Sequence, residues 1–366
     1  MLKSLKLENF RNHKEFSADF NNTTILIGLN GSGKTGILEA ISLISAGRSF
    51  RIDDKKNLVN LDADLARIKA DDLELIIQKT PRLLVIAKER GVKKKLPDFI
   101  GTQKSVIFSP EIIEMITGAP ALRRRFLDIM ISQNDKEYLL ALSEYTKVRR
   151  QRNGLLEMIK GKRASESELL FWDDELEKQG KIITKKRIGA IEFLNNLLSG
   201  IYQEIAGPSP LSSRATPTNR GNREISLSLI YHNSSGEDLA EKLRQNRARE
   251  IAYGATIYGP HRDDLEFKLD NANMQQFASR GELRSAILAL KIAELKYLEK
   301  ESIKSSSISG KSDSPILLLD DIFSEFDAER RSHLNDLILQ YQSVITTTDR
   351  EHLNEKILKE AKIIEL

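Results

Sequence analysis

The sequence predicts an α/β fold in which a long helical segment interrupts a nucleotide-binding core. Three observations lead to this prediction. Strand-like and helix-like segments alternate over much of the chain, a glycine-rich loop joins a predicted buried strand to a predicted helix, and no proline occurs between Pro120 and residue 206, where the patterning is helical throughout. Because that segment separates two groups of alternating elements, we interpret it as an inserted helical domain.

The elements before the insertion are predicted to be mainly strands. Residues 15–20 alternate apolar and polar side chains, and residues 23–27 form a continuous β-rich run that is typical of a buried strand. Three further strand-like runs occupy residues 64–90, separated by Asp-Asp and Pro-Arg breaks. Residues 105–108 form one more short strand, and Ser109 begins a helix.

The insertion is predicted to contain two long helices that are broken near residues 161–165, and residues 207–222 have the composition of a loop. After the loop the patterns predict, in chain order, a strand at 224–231, a polar helix at 236–251, two strands around a turn at 255–270, an amphipathic helix at 282–300, a loop at 303–314, a buried strand at 315–319, a helix at 327–340 and a buried strand at 344–347.

Composition excludes several classes of protein. The 366 residues are 30% charged and 40% hydrophobic, which excludes a disordered chain, and no apolar run approaches the ~20 residues of a membrane span. The absence of cysteine excludes disulfides, thiol catalysis, iron–sulfur clusters and cysteine-based zinc sites. The N-terminus lacks the apolar core of a signal peptide, so a cytoplasmic protein is expected. A net charge of +4 is too small to indicate nucleic-acid binding without further observations.

The glycine-rich loop matches the phosphate-binding pattern G-x-x-x-x-G-K-[ST] between a strand and a helix. Its glycines let backbone N–H groups approach phosphate oxygens, and the helix N-terminus favours negative charge. We expect Lys34 to reach the β- and γ-phosphates of ATP and Thr35 to bind Mg²⁺. A glycine turn without a ligand is the alternative. The predicted nucleotide-binding residues are Gly28, Leu29, Asn30, Gly31, Ser32, Gly33, Lys34 and Thr35.

A second motif places two acids after the apolar run at residues 315–319. A parallel strand delivers such carboxylates to the sheet edge where ligands bind. Asp320 is predicted to hold Mg²⁺ and Asp321 to act as the general base for the attacking water, whereas a strand end followed by a solvated turn is the alternative. Most of the chain separates Lys34 from Asp320, which excludes a compact nucleotide kinase or a small GTPase.

The segment from Ala278 to Glu282 precedes the amphipathic helix and has two interpretations. Ser279 and Gly281 at a helix N-terminus could bind an anion. Ser279 with Glu282 three residues later equally fits a capping box, which has no ligand.

Positive charge concentrates in residues 120–163, where 11 Lys/Arg face 5 Asp/Glu. A sequence-independent surface for the DNA backbone is one interpretation, and a solvated helical arm with internal salt bridges to Asp128 or Glu144 is the other. Aromatic residues are sparse there, which favours duplex over single-stranded DNA. The candidate DNA-binding residues are Arg123, Arg124, Arg125, Arg149, Arg150 and Arg152.

Several motifs together resemble those of the RecF family, the bacterial recombination mediators of the SMC-like ABC ATPase group. In chain order they are LENFRNHK, GLNGSGKT, RRRFLD, GPHRDD, ASRGELRS, ILLLDDIFSEFD and TTTD. The resemblance extends over essentially the whole chain. It implies an ABC-type, SMC-like P-loop ATPase head with an inserted helical lever arm, divided into head residues 1–118, arm residues 119–206 and head residues 207–366.

The resemblance also implies how two copies combine. Two heads would enclose two ATP molecules, and each loop would face the signature residues Ser279, Gly281 and Glu282 of the other subunit. Asp327 would belong to a D-loop at residues 324–327, and residues 348–349 would occupy the switch position. Arg11 and Asn12 would lie near the nucleotide.

The function implied by the resemblance is DNA replication and recombinational repair within the SOS response. A slow, DNA-stimulated ATPase would form an ATP-dependent homodimer, clamp gapped or junction-containing double-stranded DNA, and load RecA with RecO and RecR. No membrane partner is expected. The alternatives are a nucleotide-binding subunit of an ABC transporter, against which the helical insertion and the lack of an LSGGQ signature argue, and a DNA scaffold that senses ATP without hydrolysing it.

Overall fold

The computed structural model describes residues 1–51, 54–206, 225–236, 238–305, 314–349 and 353–366. Contacts divide the chain into two compact units. Unit 1 comprises the described residues of Met1–Ile113, Gly200–Arg223 and Arg280–Leu366, and unit 2 those of Glu114–Ser199 and Glu224–Ser279.

The strands and helices follow one another along the chain in this order: β1 (Ser4–Phe10), β2 (His13–Asp19), β3 (Thr23–Ile27), α1 (Lys34–Ala46), β4 (Leu65–Ala70), β5 (Leu73–Gln78), β6 (Leu84–Glu89), β7 (Val92–Lys94), α2 (Leu96–Phe99), β8 (Ser105–Phe108), α3 (Glu114–Thr117), α4 (Pro120–Ser132), α5 (Lys136–Lys160), α6 (Leu169–Ala206), β9 (Leu227–His232), α7 (Leu239–Gln245), α8 (Arg247–Tyr253), β10 (Asp264–Leu269), β11 (Ala272–Asn273), α9 (Met274–Phe277), α10 (Arg280–Ser305), β12 (Ile316–Asp320), α11 (Ala328–Gln340), β13 (Ser343–Thr347), α12 (Glu355–Glu360) and β14 (Lys362–Glu365). Short 3-10 turns cover Lys55–Leu58, Pro110–Ile113, Glu166–Glu168 and Ile322–Glu325. Among the described helices, none combines the length and apolarity that crossing a membrane requires.

Unit 1 contains two sheets. The parallel sheet has the order β14-β3-β13-β12-β8, and the antiparallel sheet has the order β2-β1-β4-β5-β6-β7. Helix α1 contacts strands of both sheets, and one core cluster includes Leu5 and Leu75 of the antiparallel sheet, Ile41 of α1, and Leu318 and Val344 of the parallel sheet. The parallel arrangement brings the carboxyl ends of β3 and β12 to the same edge, which positions the nucleotide site.

Unit 2 combines α4, α5 and α6 with the small antiparallel sheet β11-β10-β9. Arg187 of α6 is 2% exposed and connects three parts of this unit. Its guanidinium donates to Asp128 Oδ1 at 2.8 Å, to Tyr138 Oη at 3.0 Å and to the Pro260 carbonyl at 2.7 Å. The buried Arg187 guanidinium therefore holds the helices and the GPHRDD segment together. Each of its three nitrogen atoms donates a hydrogen bond, so its burial is compensated.

The GPHRDD segment itself folds as part of unit 2. Gly259 has φ +124°, and a side chain there would meet the Tyr145 hydroxyl. His261 Nδ1 lies 2.7 Å from Tyr145 Oη, and Nε2 lies 3.1 Å from the Thr256 carbonyl. Burial, assisted by Arg149, lowers the pKa of His261 to about 3, so the imidazole is neutral.

Several predicted elements agree with the structure, and the helical arm differs from its prediction. The break expected near residues 161–165 falls between α5 and α6. The first long helix was predicted without interruption, which is wrong, because α4 ends at Ser132 and α5 begins at Lys136. Asp135 causes this second start, since its side chain accepts a hydrogen bond from Tyr138 N at 2.9 Å and caps α5.

The region after the linker also differs. Only the second of the two strands predicted at residues 255–270 forms, and the helix predicted at 236–251 divides into α7 and α8 at Asn246. The described residues between 225 and 279 belong to unit 2, together with the helices of the arm. Hydrogen bonds explain this placement, because the Asn195 side chain of α6 bonds to both Leu229 N (2.8 Å) and Leu229 O (2.9 Å) of β9.

Candidate nucleotide-binding site

The glycine-rich loop lies between β3 and α1, as the motif requires. Gly31 and Gly33 have φ of +86° and +103°, which is the left-handed region that favours glycine. A Cβ at Gly28 would lie 2.8 Å from the Leu366 carbonyl oxygen. The loop conformation therefore depends on these glycines, and it exposes backbone N–H groups at the start of α1 to an anion.

Lys34 and Ser32 show that the loop fits a phosphate chain. Lys34 is buried, and its ammonium donates to the carbonyls of Gly28 at 2.5 Å and Leu29 at 3.0 Å. Ser32 Oγ is buried and has no hydrogen-bond partner within the described part of the chain. A buried hydroxyl without a hydrogen-bond partner costs free energy unless a ligand supplies that partner. The Ser32 hydroxyl and the Lys34 ammonium are therefore donors that fit phosphate oxygens.

Asp320 and Thr35 meet at the sheet edge although they are 285 residues apart in sequence. Asp320 Oδ1 accepts hydrogen bonds from Thr35 Oγ1 at 2.9 Å and from Thr346 Oγ1 at 2.8 Å. Burial raises the pKa of the Asp320 carboxyl, and the two hydroxyl hydrogen bonds oppose that rise. A carboxylate beside a hydroxyl at the end of a phosphate loop is the oxygen set that Mg²⁺ prefers, so the residues fit this ion.

Asp321 follows β12 and lies at the same cavity. Its φ of +49° places it in the left-handed region, and its backbone N–H donates to the carbonyl and the hydroxyl of Thr346 at 3.3 and 3.0 Å. This backbone geometry fixes the position of Asp321 relative to Asp320. The adjacent carboxylates predicted for metal binding and for base catalysis are therefore both present at one site.

The site opens into a cavity of about 830 Å³. Its lining residues are Arg11, Asn12, Asn30, Gly31, Gly33, Lys34, Thr35, Gly36, Arg51, Asn57, Val59, Asn60, Leu61, Asp62, Asp320, Asp321 and Thr346. This volume suits a nucleotide. The side of the cavity formed by residues 57–62 carries no motif, and sequence reasoning did not identify it. Thr346 was also missed, although it belongs to the quoted TTTD run.

Arg11 and Asn12 lie at the cavity, where the resemblance places them. The Arg11 guanidinium forms two hydrogen bonds to the buried carboxylate of Glu39, at 2.8 and 2.7 Å, and Asn12 Nδ2 donates to the Gly31 carbonyl at 3.2 Å. His13 Nε2 lies 3.0 Å from the Gly33 carbonyl. Residues at the β1–β2 turn of the antiparallel sheet thus contact the backbone of the phosphate loop and stabilise its conformation.

The residues predicted as the signature, Ser279, Gly281 and Glu282, are not among those that line this cavity, and their role stays a prediction. Asp327 caps α11 by accepting from Arg330 N at 3.1 Å, and its carboxylate also pairs with the Arg330 guanidinium. Arg330 Nε donates to Ser285 Oγ at 2.8 Å, which joins the D-loop to the first turns of α10.

At the predicted switch position, Thr348 Oγ1 lies 3.5 Å from Asp349 Oδ2. Thr347 Oγ1 donates to the Asp349 carbonyl at 2.7 Å, and Thr348 and Asp349 are absent from the cavity lining. Within the TTTD run, the hydroxyl that donates to Asp320 is that of Thr346, two residues before Thr348.

Two of the six arginines predicted to bind DNA have internal roles instead. Arg123 is 4% exposed and forms two hydrogen bonds to Asp264, at 2.7 and 3.0 Å, while Arg152 is fully buried. Arg152 pairs with Asp173 at 2.7 Å and with Glu250 at 2.6 Å. The prediction is wrong for Arg123 and Arg152, because helical periodicity turns them towards acids that are distant in sequence.

The other four arginines are accessible to different extents. Arg124 is half-buried and donates to the Asp263 carbonyl at 2.7 Å. Arg125 and Arg149 are half-buried as well, and Arg150 is exposed. DNA contact stays a prediction for these four residues.

Replacing Arg152 with methionine is expected to destabilise the protein by about 3–5 kcal/mol, because the buried Glu250 carboxylate loses its salt-bridge partner, while Asp173 keeps Arg247. Chemical denaturation measures this loss as a change in the free energy of unfolding. The matched control is Arg150→Met in the same helix, and this variant is expected to stay within about 0.5 kcal/mol of the wild type. Equal stability of the two variants would contradict the internal role of Arg152.

Together, the parallel sheet, the phosphate loop and the paired acids define a P-loop ATPase of the ABC type. Residues 1–361 match the family described as AAA ATPase domain. The chain is 33% identical to the DNA replication and repair protein RecF of Lactobacillus johnsonii, covering 99% of this chain and 96% of that protein. It is 34% identical to the protein of the same name from Halalkalibacterium halodurans, covering 100% and 97%. The chain belongs to the RecF family.

Solved structures agree with this assignment. The recombination mediator protein RecF, solved as RecF-ATP in the RecFOR pathway, superimposes with a TM-score of 0.82 at 31% identity, covering 96% of this chain and 93% of that one. The RecF-ATPrS structure gives a TM-score of 0.81 at 32% identity, covering 97% and 94%. The predicted fold class, an ABC-type, SMC-like P-loop ATPase head, is confirmed.

Proposed function

We propose that this chain hydrolyses ATP and that its ATP-bound form dimerises on duplex DNA during recombinational repair. The observation that carries the proposal is the meeting of Thr35, Asp320 and Thr346 beside the buried Lys34. The relatives named DNA replication and repair protein RecF, and the RecF-ATP structure, support ATP as the nucleotide.

Each group at the site has a part in hydrolysis. Lys34 and the loop N–H groups bind the phosphates and balance their charge, and Asp321 orients the attacking water and takes its proton. Mg²⁺, held by Thr35 and Asp320, neutralises charge on the phosphate oxygens when bound. Asp320 accepts two hydroxyl hydrogen bonds, and these fix the orientation of its carboxylate.

In the proposed dimer each nucleotide is contacted from both subunits. The phosphate loop of one copy would contact four residues of the other copy: Ser279, Gly281, Glu282 and Asp327. Their support is that the signature residues do not line the cavity of their own chain and that Arg330 connects Asp327 to Ser285 of α10, the helix that begins at Arg280. Charge-assisted hydrogen bonds contribute about 1.5–3 kcal/mol each, so loss of the γ-phosphate would weaken the dimer substantially.

The finer parts of the proposal rest on the relatives. RecF-ATP is described in the RecFOR pathway, which supports RecO and RecR as partners. We propose RecA loading at gaps as the outcome. A weak, DNA-stimulated rate of hydrolysis suits such a clamp. Among the predicted arginines, Arg150 is exposed, so it is the first candidate for contact with the DNA backbone.

The test measures oligomeric state and duplex binding in three conditions: without nucleotide, with ADP, and with a non-hydrolysable ATP analogue. Dimerisation and tight DNA binding are expected only with the analogue. A protein that stays monomeric when saturated with the analogue would contradict the clamp. Phosphate release would also exclude a scaffold that only senses ATP, and the absence of any phosphate release, with or without DNA, would favour it.

A further inference from the structure

The outward face of the antiparallel sheet in unit 1 carries lysines at one level across several strands. Strand pairing places Lys6 of β1 opposite Lys69 of β4, and Lys69 opposite Glu74 of β5. Glu74 is in turn opposite Lys88 of β6, which is opposite Lys93 of β7. We call Lys6, Lys69, Lys88 and Lys93 the lysine row. The flanking residues Leu5, Leu7, Ile68 and Leu75 are buried, so alternation along the strands turns the row to solvent.

Most of this row has no compensating charge. Glu74 pairs with Lys88 at 2.9 Å and with Arg67 at 3.0 Å, and Arg67 also pairs with Glu8 at 3.1 Å. Lys6, Lys69 and Lys93 are exposed and have no carboxylate partner among the described residues. Glu15 of β2 lies opposite Glu8 and bounds this region at the other edge of the sheet.

The adjacency of Lys6 and Lys69 is unfavourable for folding. Like charges directly opposite each other on neighbouring strands are about 5 Å apart at Cβ and destabilise a sheet. Lysine on an edge strand prevents aggregation, and this explains Lys93 on β7. It does not explain Lys6 and Lys69, because β1 and β4 are interior strands. Local conflicts of this kind concentrate where a surface serves a ligand.

We propose that the lysine row binds the phosphate backbone of duplex DNA. At about 4.8 Å per strand, the row from β1 to β7 extends about 19 Å, which is long enough to reach several phosphates of a duplex. The outward positions of these strands carry no aromatic side chain on which bases could stack. The proposal rests on the DNA binding of the proposed function and identifies a surface for it other than the arm.

The test replaces Lys6, Lys69 and Lys93 with glutamine in one variant of the full-length chain. Its matched control replaces Lys296, Lys356 and Lys359, which are exposed on helices of unit 1. Binding of a 30-base-pair duplex is measured with the non-hydrolysable ATP analogue over a range of salt. Each lost phosphate contact lowers the slope of log affinity against log salt by about 0.9, so the row variant is expected to lose ~2.7 in slope and at least tenfold in affinity at about 0.1 M salt.

Two further readouts separate the possible failures. The unfolding free energy of the row variant is expected to equal or exceed that of the wild type, since a repulsion is removed, and its ATPase rate without DNA should be unchanged. Wild-type affinity and slope in the row variant would overturn this inference and leave the proposed function intact. A wild-type protein that does not bind duplex at all would overturn both.

Discussion

Replacing Lys34 with alanine is expected to abolish ATP-dependent dimerisation and retention on DNA. The Lys34 ammonium lies within hydrogen-bond distance of two loop carbonyls, and we expect it to exchange them for phosphate oxygens of ATP. At about 1.5–3 kcal/mol for each charge-assisted bond, losing one or two weakens ATP binding by about 10–10⁴-fold. Sedimentation with the non-hydrolysable analogue measures the dimer, and calorimetry measures ATP affinity.

The matched control is Lys14→Ala on the exposed part of β2, which is expected to dimerise as the wild type does. A Lys34→Ala protein that dimerises normally would show that the triphosphate is not what joins the subunits. Because Lys34 is buried against the loop, its thermal unfolding should be followed as well, so that a folding defect is recognised.

Changing Asp321 to asparagine is expected to give the opposite phenotype, with ATP bound and the dimer trapped in its closed form. The amide keeps the shape of the side chain but cannot take a proton from water, and loss of a general base slows a reaction by about 10²–10⁴-fold. Phosphate release should fall by this factor while ATP affinity changes little. The lifetime of the protein on DNA, measured by dissociation kinetics in ATP, should lengthen.

Asp336→Asn on the exposed side of α11 is the control, since it alters one acid in unit 1 away from the cavity. It should hydrolyse ATP at the wild-type rate. Normal turnover in Asp321→Asn would remove Asp321 from the role of base. Asp320→Asn provides a contrast, because loss of the proposed metal ligand should weaken binding of Mg²⁺-ATP itself.

Local chemistry explains what the sequence could predict about the site. The phosphate loop depends on glycines at fixed spacing, and Asp320 ends an apolar run, so both are visible without knowledge of tertiary contacts. Their meeting follows from one rule, that parallel strands bring their carboxyl ends to the same edge. Thr346 could have been found in the same way, because it also lies at the carboxyl end of a buried parallel strand.

Side-chain partners distant in sequence explain what could not be predicted. Arg152 and Arg150 belong to the same basic run, yet one is fully buried and the other exposed. The difference depends on Glu250, which is 98 residues away and reaches Arg152 only when α8 packs on α5. Charge counts along the chain therefore overestimate the positive surface of the arm. The lysine row was missed for the converse reason, because strand pairing assembles it from separate segments.

The long separation between the two halves of the nucleotide site has a consequence for synthesis on the ribosome. Strand β3 pairs only with β13 and β14 among the described strands, so it has no neighbour until residues 343–365 have emerged. The phosphate loop is thus made early but has no finished sheet beneath it. Nucleotide therefore cannot serve as a template for the nascent chain before Asp320 and Thr346 have been made. Non-local pairing of this kind slows folding, and it leaves the apolar strand β3 open to aggregation in the interval.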